Sequence, residues 1–152
     1  MATQYTSIHV SHSFSQPAQR VFDAWLDPEV AVQWLFATPD GEMLPPRIDA
    51  LVGGRFSITE RRDGEDWEHC GEYLEIDAPR KLAFSFYLPK FIEQFGSSIV
   101  RIQITDGKDG SCELSLTQEH CPVEFAEQST AGWKTLLANL EQTLASQGSS
   151  AS

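Results

Sequence analysis

The apolar residues follow two different spacings in two parts of the chain. Residues 8–14 alternate between apolar and polar side chains, which is the period of a half-buried strand. Residues 125–144 instead carry a stripe with spacings of three and four, which places its members on one face of an α-helix. The members of this stripe are Ala126, Ser129, Trp133, Leu136, Leu137, Leu140 and Leu144.

Two short helices are predicted directly after the first strand. Ser15 is a candidate N-cap, and Pro17 suits a first helical turn because its missing N–H is not needed there. Asp27 before Pro28 repeats this signal, and residues 35–46 then have the composition of a loop. The apolar positions of the two helices are Val21, Phe22, Trp25, Val30 and Trp34.

The middle of the chain indicates an antiparallel sheet. Strands are predicted at residues 47–51, 55–62, 67–76, 81–88, 98–105 and 111–119, and the Asp63-Gly64 pair is typical of a hairpin turn. Short connections favour antiparallel pairing of neighbours. In the 67–76 strand, Leu74 is out of phase with His69 and Tyr73, so a bulge is an open alternative there. The predicted class is α+β, because only the sheet can cover the stripe of the last helix, which Pro122 would open.

Composition limits the functional classes. A chain of 152 residues predicts a single domain over residues 5–146, followed by a polar tail at 147–152 that we expect to be disordered. The net charge of −11 argues against nucleic acid as a partner. No apolar run is long enough for a membrane span, and the first residues lack the features of a secretory signal, so we expect a cytoplasmic protein.

The cysteines do not predict a disulfide framework or a metal centre. Cys70, Cys112 and Cys121 are odd in number and lack C-x-x-C spacing, so reduced thiols are expected. Glu119, His120 and Cys121 are adjacent, but neighbours in an extended segment point in opposite directions. We therefore expect no metal and no cofactor.

A set of residues distributed along most of the chain resembles a known family. Together, over residues 8–145, they resemble the family named for the activator of the heat-shock-protein-90 ATPase, within the START-like proteins. The resemblance implies a helix-grip fold, in which six or seven curved antiparallel strands surround the C-terminal helix and leave an apolar cavity. The matching residues are Pro17, Val21, Phe22, Asp23, Ala24, Trp25, Asp27, Pro28, Glu29, Trp34, Gly53, Gly54, Phe56, Gly71, Tyr73, Glu75, Ile76, Gly132 and Trp133.

A cavity with aromatic walls favours the binding of a small apolar molecule that is lipid-like, aromatic or polyketide-like. Gly132, inside the last helix, is interpreted as a point of close backbone approach. The candidate ligand-binding residues are Trp34, Phe56, Ile58, Trp67, His69, Tyr73, Phe84, Phe86, Ile102, Leu116, Trp133, Leu137 and Leu140.

Three alternatives remain open from the sequence. An enzyme of the cyclase or hydrolase type would use His69 as a general base, with Tyr73 on the same strand face. A co-chaperone would stimulate heat-shock protein 90, although the eukaryotic activator has an additional N-terminal domain and we expect a single domain here. A stress-response binder that sequesters a reactive compound is the third alternative, and a homodimer is compatible with all of them.

Overall fold

The computed structural model describes residues 4–36 and 41–151, with side chains through residue 145. Its helices are α1 (Ala18–Leu26), α2 (Pro28–Trp34), α3 (Ile92–Phe95) and α4 (Ala126–Ala151). Its strands are β1 (Tyr5–Phe14), β2 (Glu42–Met43), β3 (Arg47–Ile48), β4 (Arg55–Arg62), β5 (Glu65–Asp77), β6 (Lys81–Phe86), β7 (Ser98–Asp106) and β8 (Cys112–Pro122).

The strands form one curved antiparallel sheet, as the sequence predicted. Their order is β1-β8-β7-β6-β5-β4-β2, and β3 also pairs with β4. All pairings from β4 to β8 join consecutive strands, whereas β1 pairs with β8 from the far end of the chain. The sheet curves around α4, which is the helix-grip architecture, and β2, which the sequence did not predict, brings the number of strands within the described residues to eight.

The stripe of α4 is buried as predicted. Trp133, Leu137, Leu140 and Leu144 are each at most 4% exposed and join the core formed by the inner face of the sheet, α1 and α2. Burying a side chain of this size stabilises the fold by roughly 1.5–3 kcal/mol relative to leaving it in water. Packing of this apolar face therefore holds α4 inside the sheet.

Two helix starts differ from the sequence prediction. Ser15 is not an N-cap, because Pro17 occupies that position with an extended backbone (φ −70°, ψ 156°) and α1 begins only at Ala18. Pro122 still belongs to β8, and a 3₁₀ turn at Val123–Phe125 precedes α4. The predicted Asp27 cap is confirmed, since its carboxylate accepts a hydrogen bond from the Glu29 N–H at 3.0 Å.

The edge of the sheet is shorter and more irregular than predicted. The strand expected at 47–51 is reduced to β3, because Leu51 and Val52 lie in an exposed turn, at 64% and 65% exposure. Strand β2 lies within the predicted 35–46 loop, whose residues 37–40 are outside the described part. The suspected bulge is present, since the β5–β6 register shifts between Tyr73 and Glu75 and leaves Leu74 exposed.

The last helix departs from expectation at two places. Gly132 is exposed, and a Cβ built there meets nothing within 4 Å, so its interpretation as a point of close approach is wrong. The backbone of α4 continues to Ala151, while the side chains of 146–152 lie outside the described part. The disordered tail at 147–152 therefore stays a prediction. No helix within 4–36 and 41–151 combines the length and apolarity that crossing a bilayer requires.

Candidate functional site

A pocket of about 540 Å³ opens at one end of the grip, between the sheet and the start of α4. The ends of β5 to β8 form its floor, the segment that contains α3 covers one side, and the first turns of α4 cover the other. Its lining residues are Trp67, His69, Phe86, Tyr87, Leu88, Phe91, Phe95, Gly96, Ser98, Gln118, Cys121, Pro122, Phe125, Gln128 and Ser129.

Aromatic rings make the mouth of this pocket apolar. The Phe95 ring contacts Phe91 at a centroid distance of 6.2 Å and Phe125 at 5.1 Å. Phe91 and Phe125 each remain 37% exposed. A protein surface rarely exposes grouped rings without a function, so these side chains are suited to contact an apolar molecule.

The α3 segment consists of the 3₁₀ turn Pro89–Phe91 and α3, and it contacts the sheet at the rim of the pocket. It contains no buried residue, and the Tyr5 hydroxyl on β1 donates a hydrogen bond to the Phe95 carbonyl at 3.2 Å. The Tyr5 ring also stacks on His120 with centroids 3.6 Å apart. Because so little of the segment is buried, its local opening costs less free energy than opening of the core.

Trp67 continues the aromatic rim, since its ring stacks on Phe91 at a centroid distance of 6.3 Å, and it lies between two cations. The Lys90 ammonium is 4.5 Å from its ring centroid and the Arg62 guanidinium is 5.4 Å away. Each cation has a carboxylate nearby, Glu65 at 3.9 Å from Lys90 and Glu60 at 3.7 Å from Arg62. These charges hold Trp67 in place without giving the rim a strong net charge.

A chain of hydrogen bonds crosses the floor of the pocket. The Trp133 indole N–H donates to Gln118 Oε1 at 2.8 Å, and Gln118 Nε2 donates to Ser98 Oγ at 3.1 Å. The Ser98 hydroxyl donates in turn to the His120 carbonyl at 3.0 Å. Gln118 and Ser98 are 4% and 7% exposed, so these bonds satisfy polar groups that water hardly reaches.

His69 lies where the pocket meets the aromatic core. Its ring stacks on Phe36 at 4.2 Å, and the Phe86 ring lies parallel to both. Its Nδ1 lies 3.2 Å from the Ile58 carbonyl, which makes Nδ1 the protonated nitrogen of the neutral ring. Burial lowers the pKa of His69 below its ordinary value, so the ring is neutral at pH 7.

The cysteines are buried thiols. Burial raises the pKa of Cys70 to about 11 and also raises that of Cys112, so both are protonated and poorly nucleophilic at neutral pH. The Cys121 thiol contacts Ser129 Oγ at 3.7 Å. Within the described ranges, no three His, Cys, Asp or Glu side chains are grouped as metal ligands.

A family model confirms the resemblance. The model described as Activator of Hsp90 ATPase homolog 1-like protein matches residues 15–145. The chain belongs to this family. Among curated proteins, none matches the chain.

Solved structures share the fold along nearly the whole chain. A protein of Chromobacterium violaceum is 25% identical, with a TM-score of 0.77 and coverage of 90% of this chain and 94% of its own. An AHSA1-like protein of Aeromonas hydrophila is 24% identical, with a TM-score of 0.77 and 94% coverage of each chain. A protein of Staphylococcus aureus reaches a TM-score of 0.80 at 10% identity, covering 97% and 98%. The last two therefore show the fold alone.

The candidate ligand-binding residues separate into two groups. Trp67, His69 and Phe86 line the pocket of this family member. The other ten are buried in the core cluster and are not among the lining residues of this pocket, and their contact with a ligand stays a prediction. These ten are Trp34, Phe56, Ile58, Tyr73, Phe84, Ile102, Leu116, Trp133, Leu137 and Leu140.

Sequence reasoning missed several residues of the pocket. Phe91 and Phe95 lie in a segment for which the sequence predicted no element, and Phe125 marks only the start of the predicted helical range 125–144. Gln118 could have been recognised from the sequence, because the alternation that turns Leu114 and Leu116 inward also turns Gln118 inward. A polar residue at an inward position requires a buried partner, and here that partner is Trp133.

A wider depression of about 780 Å³ lies on the outer side of β4 and β5. Its walls include the backbone of Gly53, Gly54 and Gly71 and the exposed side chains of Arg47 and Arg55. It is open to solvent and has few apolar side chains, so it fits a small apolar ligand less well than the pocket beside α4.

Proposed function

We propose that this family member binds a small apolar molecule in the pocket between α3, the sheet and the start of α4. The observation that supports this proposal is a pocket of about 540 Å³ whose walls carry six Trp, Phe or Tyr rings around a few buried polar groups. Such a volume and composition are typical of sites for small ligands. The six rings are Trp67, Phe86, Tyr87, Phe91, Phe95 and Phe125.

The same pocket accounts for two features that would otherwise be unfavourable. Phe91 and Phe125 expose apolar surface to water, and a bound apolar molecule would cover it. The α3 segment contains no buried residue, which allows it to move aside while a ligand enters.

A fluorescent probe tests the proposal directly. N-phenyl-1-naphthylamine is apolar and neutral, and its emission rises when it leaves water for an apolar site. We expect saturable binding to the wild-type chain, accompanied by a change in the fluorescence of Trp67 at the rim. Native mass spectrometry of the protein purified from its own host would then give the mass of the natural ligand.

A variant that fills the pocket provides the decisive comparison. Ser129 lines the pocket on α4, so Ser129→Phe places a ring in the space that the ligand would occupy. Thr135→Phe makes a similar change at an exposed position of the same helix, outside the pocket. Loss of probe binding only in Ser129→Phe supports the proposal, and equal binding by both variants contradicts it.

A co-chaperone role is the second candidate, and the description of the matching family favours it. It requires a stable contact with the chaperone of the same organism. Stimulation of that chaperone's ATPase by the purified chain, measured with and without the Ser129→Phe change, would separate this role from ligand binding. An unchanged ATPase rate and no co-purification would exclude it.

A further inference from the structure

We infer that the ligand is a neutral molecule whose apolar body carries a carbonyl-type hydrogen-bond acceptor, and that the side-chain amide of Gln118 recognises this acceptor. The inference rests on the proposed binding function and specifies its ligand class. It follows from three observations on the described residues: the direction of the hydrogen bonds on the pocket floor, one N–H of the Gln118 amide that has no acceptor, and the absence of charged side chains from the other walls.

The orientation of the Gln118 amide is fixed by its neighbours. An indole nitrogen can only donate, so the atom of Gln118 that lies 2.8 Å from Trp133 Nε1 is the oxygen. The amide nitrogen consequently faces Ser98, whose hydroxyl hydrogen is used in the bond to the His120 carbonyl. Gln118 therefore cannot rotate to exchange its two ends without breaking both of its bonds.

This orientation leaves one hydrogen of the Gln118 amide unused. A primary amide has two N–H groups, and only the bond to Ser98 uses one of them. In the described part of the chain, no second acceptor contacts Gln118 Nε2. The side chain is only 4% exposed and lines the pocket, so this N–H can be reached only by a molecule that occupies the pocket. A ligand oxygen in the pocket would satisfy this donor.

The other walls exclude a charged ligand. The lining residues include no Asp, Glu, Lys or Arg, and burial keeps His69 uncharged at neutral pH. A carboxylate or ammonium buried there would have no counter-ion, which costs far more than a neutral carbonyl. The cations at the rim, Arg62 and Lys90, already have carboxylates beside them.

Two ligands of the same shape test the inference. In 2-acetylnaphthalene a carbonyl oxygen occupies the place of the terminal CH₂ in 2-isopropenylnaphthalene, so the pair differs chiefly in one acceptor. The measured quantity is the ratio of the two dissociation constants, compared between wild type and Gln118→Met. Because a neutral hydrogen bond contributes about 0.5–1.5 kcal/mol, we expect the preference for the ketone to fall by about 2- to 12-fold in the variant. Gln103→Met, on the exposed outer face of β7, is the matched control and should leave the ratio unchanged.

A measurement on the wild-type protein covers the case in which Gln118→Met does not fold. The infrared carbonyl stretch of ¹³C-labelled 2-acetylnaphthalene should lie at lower frequency in the bound state than in hexane, because a hydrogen bond weakens the C=O bond. An unchanged ratio, or a bound frequency equal to that in hexane, overturns the inference and leaves the proposed pocket intact. If neither naphthalene binds, the inference and the proposed function fail together.

Discussion

Three buried tryptophans in one cluster differ in whether their indole N–H has a partner. Trp133 donates to Gln118 Oε1, and Trp34 donates to the Ala24 carbonyl at 3.1 Å. Trp25, whose ring centroid is 4.6 Å from that of Trp34 and 6.1 Å from that of Trp133, has no acceptor for its Nε1 within the described residues. Their substitution by phenylalanine should therefore have unequal costs.

The expected magnitudes follow from this difference. All three changes remove the same atoms at sites at most 4% exposed, so their packing losses are similar. Trp133→Phe additionally leaves a buried amide oxygen without its donor, which costs about 1–3 kcal/mol. Trp25→Phe instead removes a buried donor that lacks a partner, which recovers a similar amount. We expect Trp133→Phe to lower the free energy of unfolding by about 2 kcal/mol or more beyond Trp25→Phe.

Urea unfolding of the three variants, followed by circular dichroism, measures these costs. The comparison is valid if the dependence of the free energy on urea stays constant across variants, since a changed slope would mean a changed unfolded or native state. Trp34→Phe is the internal control and should fall close to Trp133→Phe, because it also leaves a buried acceptor unsatisfied. A Trp25→Phe cost equal to or larger than that of Trp133→Phe would refute the reasoning.

Three further predictions concern the helix, the pocket and its cover. Gly132→Ala should stabilise the protein by about 0.5–1 kcal/mol, because alanine favours the helical backbone and its methyl group would meet no other atom. Gly71→Ala should destabilise the protein, because its methyl group would overlap the Ser85 carbonyl. Thermal unfolding of the two variants measures both effects. Because the folded pKa of His69 is lowered, the unfolded chain binds more protons below about pH 6.5. The stability advantage of wild type over His69→Gln should thus shrink between about pH 7.5 and 5.5, and a constant difference would contradict the neutral ring. Tyr5→Phe removes the hydrogen bond to the α3 segment and should speed both amide exchange at residues 89–96 and probe dissociation; unchanged rates would mean that this bond does not hold the cover closed.

The fold could be predicted from the sequence because its largest elements have strong periods. The stripe of α4 shows which face of the helix is buried, and the alternation along β7 and β8 shows which face of those strands is buried. Asp27 marks the start of α2 through a local hydrogen bond. Such signals depend only on neighbours within a few residues. The weak elements, β2 and β3, contain two residues each and exist only through pairing with β4.

The site was harder to predict because tertiary contacts define it. The α3 segment has four helical residues and no buried side chain, so no period reveals it. The resemblance to the family implied an apolar cavity between the sheet and the C-terminal helix, and part of that region is occupied by the contacting rings of Trp25, Phe84 and Trp133. The remaining opening lies at the end of the grip, where Phe95 meets Phe125. Sequence periodicity shows which residues face inward, but it does not show which inward residues touch one another.

The pairing of β1 with β8 has a consequence for how the molecule is made. Tyr5 lies opposite Pro122, so β1 leaves the ribosome before its neighbour and can pair with it only after β2 to β7 have been synthesised. Contacts so distant in sequence form slowly, and an unpaired strand edge attracts other chains in the meantime. Strand β1 therefore stays without its partner strand until β8 has been synthesised, and over this interval the nascent chain is exposed to pairing with other chains.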